Sequence, residues 1–284
     1  MANIEAAVER WFNAANQHEQ NIAIFYFCGH GFVVGDITAC LAQDYGLSEL
    51  DPFKYAFDPE ALVAGMLRCK AEQQVFLFDA CRTVTQDFDF IETYGDKISP
   101  RPLIAGRDHH RLGLVKRSVI NSTRLGTSAY GEPDRPSVFM QCFLEAVLGA
   151  GATQTNNATW VIEPTSLKLG VDWLIKQKLG LTEQCITFGV KDASDFPIHE
   201  LPGDPLVPIL IICEPTLHLE RSILSCSSGH SRNEPSNEPW MISLPMDNYE
   251  FTAVDVESKL ARSSGSRENR PPKLVVLIQC GDPV

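Results

Sequence analysis

Two residues in the first third of the chain have the types and the setting for covalent catalysis. Cys81 closes the run Gln74-Val75-Phe76-Leu77-Phe78-Asp79-Ala80-Cys81, and His30 stands in Gly29-His30-Gly31 directly after Ile22-Ala23-Ile24-Phe25-Tyr26-Phe27-Cys28. A thiol attacks as its thiolate, and a neighbouring imidazole can take the proton and later return it to a leaving amine. Each residue also has a plainer explanation. Free cysteine is among the most buried residue types, and a loop histidine often only hydrogen-bonds. What decides between these readings is the set of elements that would bring the two together.

Short, unbroken apolar runs fit strands of a parallel sheet covered on both faces, and functional groups in such sheets sit just past the strands' carboxyl ends. His30 and Cys81 both occupy such positions, and the glycines around His30 allow a tight backbone where a side chain must be presented. Before the first strand, Ile4, Ala7, Val8, Trp11, Phe12 and Ala15 recur at helical spacing over Ala2 to His18. Between the strands, Asp58-Pro59-Glu60 starts a helix, with Asp58 as cap, Pro59 in the first turn and Ala61, Leu62, Met66 and Leu67 on the apolar face. The order helix, strand with His, helix, strand with Cys is an α/β alternation, which predicts a mainly parallel sheet flanked by helices. Residues 35–57 carry no clear period. From Arg82 to Arg117 the chain is polar and irregular, a functional loop or a disordered one. Within it, Arg107-Asp108-His109-His110-Arg111 offers adjacent histidines that diverge, with no matching ligands, so a surface loop is expected rather than a zinc site. A strand within 114–122 and helices at Ser137 to Leu148 and Ser166 to Leu179 follow.

Pro197, Pro202, Gly203, Pro205 and Pro208 crowd together, which marks a boundary between an α/β domain at 1–196 and a small all-β domain at 205–284. The β domain shows strands at 209–213, 240–244, 249–256 and 273–279, with 225–239 and 262–272 read as polar turns.

The 284 residues carry a net charge of −12, against a nucleic-acid or membrane-surface role, since both want clustered Lys and Arg. No apolar stretch is long enough to span a bilayer. Glu5, Glu9 and Arg10 in the opening turns do not fit a signal peptide, so the cytoplasm is the expected location. Nine cysteines, an odd number without a CxxC, support neither a disulfide framework nor a zinc ribbon and are read as reduced thiols.

Taken together, Tyr26-Phe27-Cys28-Gly29-His30-Gly31 and Leu77-Phe78-Asp79-Ala80-Cys81-Arg82-Thr83, with His30 and Cys81 set 51 positions apart, resemble the paired motifs of the caspase-like cysteine peptidases. That group also contains metacaspases and paracaspases, and the likeness is to prokaryotic-type members in particular. Ser128-Ala129-Tyr130-Gly131-Glu132 and Ser137-Val138-Phe139-Met140-Gln141 are similar to the family's substrate-binding loop and the helix after it, so the resemblance extends over residues 1 to 190.

The resemblance implies a cysteine endopeptidase acting on a protein or peptide through a His30/Cys81 dyad, with the N–H groups of Gly31 and Cys81 as oxyanion donors. No cofactor is implied. Calcium enters only through kinship with metacaspases, and the chain has no EF-hand-like loop. Caspases proper have glutamine two residues before the cysteine and accept an aspartate side chain; metacaspases and paracaspases have an acid there, as this chain has Asp79. Asp79, joined by Ser128 and Glu132 as substrate-binding residues, therefore implies cleavage after Arg or Lys. The alternative for Asp79 is a hydrogen bond within its own loop. The family's strand and helix that precede the first helix have no counterpart here, so the expectation is that a further N-terminal segment or a partner chain completes the sheet, or that the sheet is shortened and exposes an edge beside the His30 and Cys81 strands. The competing function is a caspase-like pseudo-enzyme or interaction module. A zinc site of Cys28, His30 and Cys81 lacks a visible fourth ligand.

Overall fold

In the computed structural model, which describes residues 1–34, 37–48, 50–51, 53–84, 100–106, 109–180, 187–191 and 195–281, packing divides the chain into two compact units. The first comprises Met1–Phe143 with Asp172–Ile198, and the second Leu144–Val171 with His199–Val284. Cys185 and residues 85–99 lie outside the described residues. So do Arg107, Asp108 and the His109 side chain of the basic cluster. No helix among the described residues is long and apolar enough to cross a membrane.

The first unit opens with α1 (Ala2–Ala15), then β1 (Ile22–Gly29), β2 (Gly31–Val34), β3 (Ile37–Leu41), β4 (Ala56–Phe57), α2 (Pro59–Gly65), β5 (Gln73–Ala80), β6 (Thr83–Val84) and β7 (Lys116–Asn121). Its main sheet has the order β1-β5-β7-β10, where β10 is Thr187–Lys191. β1 and β7 run parallel to β5, and β10 closes the far edge antiparallel.

Every residue of β5 after Gln73 is buried, which is why this strand reads as an unbroken apolar run rather than an alternating one. The nitrogen of its buried amide, Gln74 Nε2, donates to the carbonyls of Met66 and Ala71 at 3.0 and 2.8 Å, while Oε1 has no partner among the described residues. α1 covers the inner face of β1, with the Trp11 ring 5.4 Å from Phe25 and 6.4 Å from Phe76. β1 is the outermost strand of this sheet among the described residues, and Ile22, Ile24 and Tyr26 on its other face are exposed.

The stretch without a clear period resolves into strands of a second small sheet, order β4-β3-β2-β6. These strands have two to five residues, too short to show a period. α2 starts as its sequence predicts: Asp58 Oδ1 accepts from the N–H groups of Glu60 and Ala61 at 2.7 and 3.0 Å.

After β7 come α3 (Val138–Glu145), a π-type turn over Ala146–Ala150 and α4 (Pro164–Leu179). In the second unit, β8 (Ala152–Gln154), β9 (Trp160–Ile162) and β11 (His199–Glu200) form a three-stranded antiparallel sheet. β12 (Val207–Glu214) pairs antiparallel with β15 (Trp240–Leu244) and parallel with β18 (Leu274–Gln279). A four-stranded antiparallel sheet of β13 (Ser222–Cys226), β14 (Ser231–Arg232), β16 (Asn248–Asp255) and β17 (Ala261–Glu268) completes it. Ile209, Ile211, Leu224, Phe251, Val276 and Ile278 share its core.

The expected turn at 262–272 is corrected: most of it is β17. That strand, Ala-Arg-Ser-Ser-Gly-Ser-Arg-Glu, has no buried residue, so it carries no hydrophobic signal and is held by its ladder to β16. The turn expected at 225–239 likewise gives its first two residues to β13 and two more to β14.

Asp58→Ala removes the cap of α2 and is expected to lower unfolding stability by about 1 kcal/mol, read from the shift in the urea midpoint.

Candidate active site

The strand register brings the two sequence motifs level. Cys28 lies opposite Asp79 and Gly29 opposite Ala80 in the β1–β5 pair; two positions beyond the break, Phe32 lies opposite Thr83 and Val33 opposite Val84 in the β2–β6 pair. The same offset holds on both sides, so His30 and Cys81 stand level where each chain leaves the first sheet for the second. Gly31 makes this crossing sterically feasible. A Cβ built there would sit 2.8 Å from the Cys81 carbonyl oxygen, 3.0 Å from that of Ala39 and 3.2 Å from the Ala80 Cβ. Two of those neighbours are backbone and cannot swing aside, so any larger side chain would push the His30 strand off the cysteine.

Cys81 is half-buried and His30 is exposed. The thiol accepts a hydrogen bond from the Ala129 N–H at 3.3 Å; among the described residues it has none from His30.

Ala129 belongs to the segment after β7, which is clamped to the cysteine loop. The Arg82 N–H donates to the Thr127 carbonyl at 3.0 Å and the Gly126 N–H to the Arg82 carbonyl at 2.7 Å. Thr123 Oγ1 donates to the Ala80 carbonyl at 3.0 Å. Gly126 has a φ of +83°, which an L side chain rarely adopts. The Arg82 guanidinium donates to Thr38 Oγ1 at 3.4 Å and lines, with Glu60 and Asn121, a cavity of about 150 Å3. Burial lowers its pKa, against the pull of Glu60.

Asp79 is 2% exposed. Its Oδ2 accepts from Tyr26 Oη at 3.2 Å and, through a short contact, from Ser137 Oγ. Ser137 also caps α3, accepting from the Met140 N–H at 3.1 Å. Burial raises the Tyr26 hydroxyl well above its ordinary value, and a hydrogen bond to Cys28 and the charge of Asp79 raise it further, so it stays a donor. Asp79 Oδ1 is buried and has no hydrogen-bond partner among the described residues. Leaving a buried carboxylate oxygen unmatched is costly, so this atom marks where a cationic ligand would be stabilised.

The register and hydrogen bonds thus gather His30, Gly31, Asp79 and Cys81. Ser128 is exposed beside Ala129. Glu132 is not brought to Asp79: its carboxylate lies on the surface, 2.9 Å from the Arg135 guanidinium. Tyr26 and Ser137 are additional members of the site. Ser137 is legible as a helix cap, but its bond to Asp79 depends on tertiary structure, as does that of Tyr26. Among the described residues no three His, Cys, Asp or Glu side chains converge as a metal site requires.

The family model described as Caspase domain matches residues 1–161, so the chain belongs to the caspase-domain family of cysteine peptidases. It is 24% identical over 218 residues to the uncharacterized protein y4kE of Sinorhizobium fredii, covering 73% of this chain and 60% of that protein; the chain therefore spans less than two thirds of that relative's length. The crystal structure of protein GSU0716 from Geobacter sulfurreducens aligns at 13% identity and a TM-score of 0.37, over 67% of this chain and 74% of the other.

Ser137→Ala removes one of two donors to Asp79 and the cap of α3, and is expected to destabilise the chain by about 1–2 kcal/mol in chemical denaturation, with Ser137→Thr keeping most of the loss at bay. A Ser137→Ala variant as stable as the wild type would remove the hydroxyl from this account.

Proposed function

We propose that the chain is a cysteine endopeptidase that cleaves after Arg or Lys. The carrying observation is the level placement of His30 and Cys81, with Gly31 against the cysteine backbone. In this reading the Cys81 thiolate attacks the scissile carbonyl carbon, and the carbonyl oxygen takes up the negative charge. The N–H groups of Gly31 and Cys81 stabilise that oxyanion. The protonated imidazole of His30 gives its proton to the leaving amine as the C–N bond breaks and leaves a thioester on Cys81. His30 then takes a proton from water, whose oxygen attacks the thioester and frees the new carboxyl end.

Asp79 supports the basic preference. A guanidinium or ammonium approaching Oδ1 would meet a buried carboxylate oxygen that has no hydrogen-bond partner among the described residues, while Tyr26 and Ser137 hold the other oxygen. Charge-assisted bonds of this kind are the strong ones, and a neutral or acidic side chain would leave the oxygen unmatched or repelled. Glu132 lies on the surface beside Arg135, and this preference does not depend on it.

The test is cleavage of fluorogenic peptides that differ only in ending in Arg, Lys or Asp. The wild type is expected to favour Arg and Lys. Cys81→Ala is expected to be inactive, and His30→Ala to lose about a hundredfold or more in kcat/KM. Asp79→Asn should lose about a hundredfold on the basic peptides while Cys81 keeps its reactivity toward a small alkylating agent. Preference for the Asp peptide would overturn the specificity, and full activity of Cys81→Ala would overturn the mechanism.

A further inference from the structure

The second unit contains a pair of thiols that the peptidase chemistry does not use. β12 and β18 run parallel with Cys213 opposite Ile278. Cys280, two residues after Ile278, therefore faces the same side of the sheet and lies diagonally across from Cys213. Both thiols belong to the same core cluster, Cys213 buried within it and Cys280 packed against it. Cys213 is fully buried in the core of this unit, whereas Cys280 is half-buried and opens onto a small surface hollow that it shares with His218, Asp255 and Arg262. One thiol is thus reachable from solvent and the other stands directly behind it.

We propose that Cys213 and Cys280 are a reversible dithiol–disulfide pair, oxidised by low-molecular-weight disulfides through Cys280. The exchange is balanced by the small disulfide alone. The Cys280 thiolate attacks one sulfur of the reagent, forming a mixed disulfide and releasing one small thiolate. Cys213, having lost its proton to solvent, then attacks the Cys280 sulfur and releases the second. Two protein thiols are oxidised and one small disulfide is reduced to two thiols.

A sulfur–sulfur bond of about 2.05 Å requires the two residues to draw together. Cys280 lies just past the end of β18, where its N–H donates to the Glu214 carbonyl at 2.8 Å. Burial pushes the Cys213 thiol up to about 12, with Cys280 adding to the rise. Burial and the charge of Asp255 raise Cys280 as well, with Cys213 and Arg262 acting the other way; its access to solvent, which Cys213 lacks, makes Cys280 the entry point. Cys226, the other cysteine of this core, is engaged by Ser228 Oγ at 3.1 Å and is the internal control.

The experiment equilibrates the full chain in buffers running from reduced glutathione to glutathione disulfide, traps free thiols by alkylation and maps the digest by mass spectrometry. The expected result is a cross-linked pair of peptides joining Cys213 to Cys280, dominant at the oxidising end and abolished by reductant, with Cys226 still alkylated. Cys280→Ser, which alters the outer, half-buried thiol, should lack the cross-link at an unchanged unfolding midpoint under reducing conditions. Oxidation should raise the wild-type midpoint and not that of Cys280→Ser. Recovery of Cys280 only as its glutathione adduct with Cys213 free, a cross-link from Cys213 to any other cysteine, or two free thiols in buffers that oxidise the exposed Cys28 would each overturn the proposal.

Discussion

The site rests on one steric constraint, the contact of Gly31 with the backbone of Cys81. Two parallel strand pairs meet there, and they share a single register only because the chain after His30 can pass within van der Waals distance of the chain carrying the cysteine. Without that approach the second small sheet could not continue the alignment of the first. His30 would no longer be level with Cys81, although Cys28 and Asp79 would remain aligned behind them. The segment after β7 depends on the same point, since its bonds to Arg82 and to the Cys81 sulfur assume that the cysteine loop is already fixed. A missing side chain thus does as much to build the site as the functional ones.

The second feature is an imbalance built into the site. Taking a carboxylate out of water costs several kcal/mol unless donors replace the lost hydration. Asp79 receives two donors, Tyr26 and Ser137, but both go to one oxygen. The other is left for something that is not a described residue of this chain. Concentrating the internal donors on Oδ2 also fixes which way Oδ1 faces, and Ser137 does this while capping α3. Stability of that helix and orientation of the carboxylate are therefore coupled, so variation at Ser137 would be felt in both.

His30, Cys81 and the strands that carry them were legible because each sits at the end of an apolar run long enough to be read locally. The helix after Asp58 was legible because cap and proline are local signals. Tyr26 and Ala129 were not, since one acts across strands and the other through a backbone N–H that has no residue-type signature. Glu132 was singled out for its charge, and the structure places it on the surface beside Arg135. β17 escaped because serine, glycine and charged residues make a strand here only through pairing with β16. Strands of two to five residues, as in the second small sheet, have too few positions to display an alternation at all.

The central claim, that His30 activates Cys81, is most directly tested by the pH dependence of Cys81 alkylation with iodoacetamide, followed peptide by peptide in the wild type and in His30→Ala. The account predicts that near neutral pH Cys81 reacts faster than the half-buried Cys280 in the same chain, and that His30→Ala removes this advantage and moves the profile toward that of an ordinary thiol. Equal rates for Cys81 and Cys280, or a Cys81 profile unchanged by His30→Ala, would contradict it.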